Sequence, residues 1–493
     1  MTEFILVPGV FTDAHVWEET AARLGAAGAG AHAVTLGGEA GADLEAHVAD
    51  VLRVIDGVAP GDDIVLVGHD YGIHPVLGAA DQRAGRIARI VYVDAGMPQD
   101  GVPALAAVPD QALRDELAAG PGAGVLAAPA SDAEWQRWGS TAGIPADALE
   151  RLTRRAVPQP LGTLLQPLRV TGAVYGVPTS GVLCNGNGAG IEMLQHLVNM
   201  GLPGLQALAT PQVSFFELAT GHWPMLSAPA ELADALLAAA AGEGHRLTPA
   251  SEELPVHLRP FLMDVPEVPR ERTGRVDLYV PDGAAGPLPA VVFVHGGPVP
   301  ADTDVTPRDW PMFPGYARLA AEAGVVGVTL DHRLFDLTGY PDSAEDIAAA
   351  VELVRADPRV DPDRIALWFF SGGGPLTAEY LDAPPAWLRC LAATYPILAP
   401  LPNWGLTGPR FHPVAALAGA GELPVVLTRA GLEMAEIAAT VEEFLAAAKE
   451  HGTRVEVVDV PDGHHGFETL DPTDESREAV RRALAAVLAH LAP

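Results

Sequence analysis

Ten residues constrain this chain more than any other stretch: Asp63-Ile64-Val65-Leu66-Val67-Gly68-His69-Asp70-Tyr71-Gly72. Residues 64–67 are an unbroken aliphatic run of strand length, the pattern of a strand buried on both faces. Gly68 and Gly72 then bracket Asp70 at two-residue spacing, which allows a turn too sharp for larger side chains. A helix follows. The outcome is a strand–turn–helix unit with a carboxylate at its apex. A second stretch of the same outline, Ala366-Leu367-Trp368-Phe369-Phe370-Ser371-Gly372-Gly373-Gly374, lies in the other half of the chain and carries a serine there.

At 493 residues the chain exceeds one hydrophobic core, so two domains of about 250 residues each are expected. In the first half, strands at 4–7, 31–34, 64–67 and 87–93 alternate with helical patterns at 17–24 and 43–58. That alternation predicts an α/β fold with a doubly wound, mostly parallel sheet. Residues 97–177 break it with helical patterns at 110–119, 133–138 and 146–155, separated by Gly and Pro, and so predict a helical insertion. Strands resume at 181–183 and 212–217, followed by Ala219-Thr220-Gly221-His222-Trp223-Pro224 and a closing helix at 229–241. The first domain is therefore 1–242. Residues 243–270 lose periodicity and read as a linker. A second α/β pattern fills 271–493, with strands at 276–280, 290–294, 325–330, 365–369, 424–428 and 454–460 and a strong helical pattern at 344–355.

The net charge of −33 makes nucleic acid and anionic membranes poor partners. No apolar run is long enough to span a bilayer, and no basic segment precedes the apolar start at Phe4, so neither a membrane helix nor a signal peptide is expected. Two cysteines, Cys184 and Cys390, suggest no disulfide framework and suit a reducing, cytoplasmic setting. The histidines show no metal-ligand spacing, so neither a metal nor another cofactor is expected. The expected partner is a small-molecule substrate; oligomeric state is not readable.

The run Gly68-His69-Asp70-Tyr71-Gly72 and the turn Gly221-His222-Trp223-Pro224 resemble the α/β-hydrolase superfamily, across nearly all of residues 1–242. An aspartate at the elbow resembles its epoxide hydrolase and haloalkane dehalogenase branch, while the general outline and cap length also resemble small serine esterases of the methyl-salicylate type. The resemblance implies that Asp70 attacks a saturated carbon and that His222 activates water against the resulting ester. A second carboxylate must orient His222. The loop after the strand at 181–183, Cys184-Asn185-Gly186-Asn187-Gly188, contains no acid. The resemblance implies Asp94 instead: it ends the strand at 87–93 and follows Asp70 by 24 residues, similar to dehalogenases whose acid sits after this strand, with Glu192 as an alternative. Backbone N–H groups of Tyr71 and of Val10 or Phe11 would form the oxyanion hole. The Asn and Trp that hold a halide in dehalogenases are missing, which moves epoxide opening ahead. Epoxide hydrolases protonate the opening oxygen from cap tyrosines. Tyr175 is the tyrosine available here, with His69, His74 and Trp138 as other donors and Trp223 beside His222 as a pocket wall.

The second half resembles serine α/β-hydrolases of the dienelactone hydrolase, prolyl oligopeptidase and carboxylesterase group, over about residues 270–493. The resemblance implies Ser371 as nucleophile and backbone N–H groups of Gly296 or Gly297, in His295-Gly296-Gly297-Pro298, and of Gly372 as the oxyanion hole. Glu433 follows the strand at 424–428. His465, in Asp462-Gly463-His464-His465-Gly466-Phe467, follows the last strand. Phe369 stands where such an elbow carries its first glycine. The whole chain is thus expected to be two fused α/β-hydrolase domains: a bifunctional small-molecule hydrolase, opening an epoxide and cleaving an ester or lactone, in specialised metabolism. Two alternatives stay open. The first domain performs non-hydrolytic acid/base work (cyclisation, elimination, epimerisation), or one domain is inactive and serves binding or dimerisation.

Overall fold

The computed structural model of the chain describes all residues except 121–123, 189, 200–202, 250–253, 284–285, 402–403, 405, 407–408 and 493. Residues 250–253 of the expected linker therefore lie outside the described residues. The chain divides into two compact units: Met1–Ala250 with Leu401–Gly405, and Ser251–Pro400 with Leu406–Pro493.

In the first unit, β1 (Thr2–Val7), β2 (Gly30–Ala33), β3 (Asp63–His69) and β4 (Ile87–Val93) come before the insertion. Within it, β5 (Val125–Leu126) and β6 (Gln159–Pro160) pair as a short antiparallel ribbon. β7 (Thr179–Cys184) and β8 (Val213–Leu218) follow it. The main sheet has the order β2-β1-β3-β4-β7-β8, and every pair in it is parallel. β3 lies inside, between β1 and β4, which is why Ile64, Val65, Leu66 and Val67 are all aliphatic and all buried. The helix Leu44–Gly57 covers the sheet through Leu44, Val48, Val51 and Ile55, and Asp43 caps it by accepting from the Ala46 N–H. Between β4 and β7 the insertion carries short helices, among them Gln111–Ala119, Asp132–Trp135 and Ala146–Arg155.

In the second unit, β9 (Arg270–Thr273), β10 (Val276–Tyr279), β11 (Leu288–Val294), β12 (Val326–Leu330), β13 (Val360–Phe370), β14 (Leu388–Thr394), β15 (Val425–Leu432) and β16 (Val455–His464) form one sheet. Its order is β16-β15-β14-β13-β11-β12-β10-β9; β10 runs antiparallel to both β9 and β12, and the remaining pairs are parallel. Two strands depart from the sequence pattern. β14 reads Leu-Arg-Cys-Leu-Ala-Ala-Thr, whose alanines favour helix, yet it is buried between β13 and β15. β9 falls at the end of the expected linker. It is exposed along its whole length and has no apolar alternation to announce it. Among the described residues no helix is long and apolar enough to cross a membrane.

Candidate active sites

β3 delivers Asp70 into a turn that no ordinary residue adopts freely: φ is +48°. Such a conformation costs on the order of 1–3 kcal/mol and persists because the surroundings impose it. The glycines impose it here. A Cβ at Gly68 would lie 2.7 Å from the Ile73 Cα, and one at Gly72 would lie 2.6 Å from the Pro8 carbonyl. The Val10 N–H donates to Asp70 Oδ2 at 3.2 Å. Across from the carboxylate, His222 Nε2 lies 3.9 Å from Asp70 Oδ2.

Asp94 closes the array. His222 Nδ1–H donates to Asp94 Oδ2 at 2.6 Å, the Asn187 side-chain amide donates to the same oxygen at 2.5 Å, and the Cys184 N–H donates to Oδ1 at 3.3 Å. Glu192 takes no part in this contact. The His222 backbone is fixed as firmly: its N–H donates to Ser140 O and its carbonyl accepts from His69 Nε2–H, both at 2.8 Å. Asp70 keeps 24% of its side chain exposed, while His222 and Asp94 keep 5% each, so Asp70 is the open end of the array. Burial by itself would favour the neutral forms. The Asp94 hydrogen bond and the charges of Asp70 and Asp94 override it for His222, which is pushed up to about 10. Against the same burial, His222 and the Tyr71 N–H hold the Asp70 carboxyl at about 2. Both shifts favour a carboxylate facing an imidazolium.

Asp70 and His222 open onto a cavity of about 550 Å³. Its walls include Ile73, Trp138, Leu183, Leu194, Val213 and Phe215, and no arginine or lysine lines it among the described residues. His74, Tyr92, Asp94 and Asn187 also reach it. A wider groove of about 1010 Å³ in the second unit, between residues 260–270 and the helix Met312–Glu322, contains none of the candidates.

Four expectations need correction. Phe11 is not an oxyanion donor, because its N–H is directed to Gln159 Oε1 at 3.4 Å and its ring packs edge-on against Trp138. Tyr175 is 55% exposed and lies outside the cavity, since its short helical turn Ala173–Gly176 sits on the surface. His69 does not line the cavity; it is buried behind His222, holding the carbonyl of that residue. Trp223 is also a support, not a wall: it is buried, with its ring edge-on to His222 at 4.7 Å. Asn187 and Gln159 escaped the sequence reading. Asn187 stands in the acid-free loop after β7, and an amide there signals nothing until Asp94 is brought beside it.

In the second unit β13 leads into Ser371 at φ +50°, the same strained turn. Ser371 Oγ lies 2.7 Å from His465 Nε2, and His465 Nδ1 lies 2.7 Å from Glu433 Oε2. Glu433 Oε1 accepts from the Met434 N–H at 2.8 Å. The strand ends of β13, β15 and β16 thus supply a hydroxyl, a carboxylate and an imidazole in one hydrogen-bonded chain, an arrangement that can activate the hydroxyl. Phe369 is tolerated because its ring is buried toward Tyr380 and three glycines follow the serine. The loop after β11 packs tightly on this turn: a Cβ at Gly296 would lie 2.8 Å from the Ser371 Cβ, and one at Gly372 2.1 Å from the Gly297 carbonyl. His295 braces the loop. Its Nδ1–H donates to Gly296 O, its Nε2 accepts from the His332 N–H, and its ring stacks on His332 at 3.7 Å. Burial holds His295 at about 4, hence neutral. Behind His465 lies Tyr395, ring to ring at 4.6 Å. Beyond it Glu468 is wholly buried, accepts from the Tyr316 hydroxyl at 2.8 Å, and is pushed up by that burial to about 7. Among the described residues no cluster of three or more His, Cys, Asp or Glu is arranged to hold a metal.

Residues 4–235 match the alpha/beta hydrolase family, and residues 276–379 match the BD-FAE family. A carbendazim-hydrolysing esterase from Nocardioides sp. (strain SG-4G) is 33% identical over 256 residues, which cover 48% of this chain and 99% of that protein. Among solved structures, a thermostable esterase from Pseudomonas putida ECU1011 aligns at 19% identity and a TM-score of 0.40, over 48% of this chain and 86% of that one. An extracellular alpha/beta-hydrolase from a Paenibacillus species aligns at 22% identity and a TM-score of 0.40, over 49% and 98%. Matched along almost the full length of the Nocardioides protein, the chain belongs to the alpha/beta hydrolase family.

Proposed function

We propose that the protein is a hydrolase with two active sites, one opening an epoxide at Asp70 and one cleaving an ester or lactone at Ser371. For the second site the supporting observation is the Ser371–His465–Glu433 chain. Ser371 Oγ attacks the acyl carbon while His465 takes its proton, and Glu433 stabilises the imidazolium. The close packing of the Gly296–Gly297 loop on Ser371 and Gly372 supports their backbone N–H groups as the oxyanion donors. Water then releases the acyl group with His465 as base. Ser371→Ala should lower hydrolysis of a p-nitrophenyl ester by at least about a thousandfold. Full retention of activity overturns the assignment.

For the first site the supporting observation is the Val10 N–H on Asp70 Oδ2. A donor at that position stabilises the oxyanion that forms when water adds to an alkyl ester of Asp70. The substrate is uncharged and largely apolar, because the cavity offers aliphatic and aromatic walls and no arginine or lysine to pair an anion. A single turnover in ¹⁸O-water should leave label in the Asp70 carboxylate; an unlabelled Asp70 excludes the covalent path. One observation favours a second reading. Asp70 and His222 already stand as a carboxylate base opposite an imidazolium acid, which suits cyclisation, elimination or epimerisation without an ester. The same labelling experiment separates the two. Fusion of the two sites in one chain suggests consecutive steps on one small molecule of specialised metabolism.

A further inference from the structure

Opening an epoxide requires a proton for the departing oxygen, and the first site's aromatic donors are poorly placed to give one. Tyr175 stands outside the cavity. The Tyr71 hydroxyl donates to His47 Nδ1 at 2.7 Å, since His47 Nε2–H is spent on Gly37 O at 2.7 Å. Tyr92 reaches the cavity, but burial raises its phenol well above the ordinary value. His74 reaches it too, but burial holds it at about 4, so its imidazole is neutral and a weak acid.

His222 differs from all of these in geometry. Asp94 fixes its Nδ1 at 2.6 Å, which aims Nε2 toward Asp70, and among the described residues the buried Nε2 has no hydrogen-bond partner. An electrophile within reach of Asp70 is within reach of that nitrogen. We propose that His222 is the acid that protonates the opening epoxide oxygen, and becomes the base for the water step by doing so. The proposal rests on the reading of Asp70 as nucleophile.

The step balances without any other donor. A bond forms between an Asp70 carboxylate oxygen and one epoxide carbon as the ring C–O bond breaks. Its electron pair stays on the departing oxygen, which takes the Nε2 proton. Asp70 is now a neutral ester and His222 a neutral imidazole. That imidazole accepts a proton from the water that adds to the ester carbonyl. Collapse breaks the bond between Asp70 Cγ and the alkyl oxygen. Of the two protons of water, one ends on the diol and one on His222. The resting carboxylate–imidazolium pair returns.

The test compares two alkylating probes on the full chain, with the adduct mapped to the Asp70 peptide by mass spectrometry. Styrene oxide needs an acid; phenacyl bromide, which loses bromide, does not. In His222→Gln the phenacyl ester of Asp70 should form and persist, while alkylation by styrene oxide should slow by about a hundredfold or more. A styrene oxide adduct forming in His222→Gln at the wild-type rate overturns the acid role and leaves Asp70 as nucleophile. No phenacyl adduct on Asp70 in His222→Gln, which lacks the base that would hydrolyse it, overturns the nucleophile reading itself. A second measurement is independent of any variant. Among the described residues the charged groups facing the His222 ring are Asp70 and Asp94, with His69 and His74 held neutral. Wild-type alkylation by styrene oxide should therefore fall about tenfold per pH unit above about pH 10, with no parallel fall for phenacyl bromide. A flat styrene oxide profile overturns the proposal.

Discussion

At the scale of single residues, the first site depends on an acid carried by β4 and not by the loop after β7. Asp94 meets His222 at 2.6 Å, and Asn187 occupies the loop position and steadies the same oxygen. Asp94→Asn should lower turnover of the first site by about 10³–10⁴-fold, because an amide neither holds the tautomer nor stabilises the cation; steady-state rates on an epoxide measure it. The His222–carboxylate contact also sets a pH dependence of stability. The folded-state pKa of about 10 lies above the ordinary 6.5, so this contribution is full below pH 6.5 and is lost as pH rises through 10. Thermal melts across that window should show a shallower decline in His222→Gln than in the wild type. Glu468 behaves in the opposite chemical sense. Its folded-state value of about 7 lies above the ordinary 4.5, so ionisation of the buried acid penalises the fold increasingly as pH rises. Glu468→Gln should raise the melting temperature at pH 8 and leave it nearly unchanged at pH 4, which differential scanning calorimetry can follow.

At the scale of elements, the cap does more than cover the cavity. Its segment 139–142 grips the turn that carries His222: the His222 N–H donates to Ser140 O and the Gly221 N–H to Ala142 O, while the Ser140 N–H donates to Asn187 Oδ1. Gly139 sits against the imidazole, and a Cβ there would lie 2.4 Å from His222 Cγ. Gly139→Ala should reduce turnover of the first site by about a hundredfold or more, since a displacement of the base by about 1 Å is enough for that. Its far-ultraviolet circular dichroism should stay native. In the second unit the comparable brace is the stacked pair His295 and His332, which holds the glycine loop against the serine turn. Element boundaries were legible wherever aliphatic runs met Gly or Pro, as around β3. β14 was not, because an alanine-rich strand becomes a strand only by its burial between neighbours.

At the scale of the molecule, two compact units each carry a residue at positive φ just past a strand end, Asp70 and Ser371, and the −33 charge is spread over a chain with 63 acidic and 30 basic residues. Self-repulsion of that size destabilises the compact state and is screened by salt. Raising sodium chloride from about 10 mM to about 150 mM, which shortens the screening length from about 30 Å to about 8 Å, should raise the melting temperature. A melting temperature independent of salt would mean that paired surface charges already cancel the repulsion. Asp70, His222, Asp94, Ser371, Glu433 and His465 could each be picked out as candidates in the chain as written, because each lies in a turn that follows a strand and local chemistry marks such turns. Which groups meet was decided elsewhere. Asp94 joins His222 only because β4 lies between β3 and β7. Phe11 loses its place to Val10 because its N–H finds Gln159, 148 residues away. Tyr175 stands at the surface although it belongs to the insertion. A turn is a property of its own few residues and can be read from them. A hydrogen bond between distant residues is a property of packing, which no local pattern records.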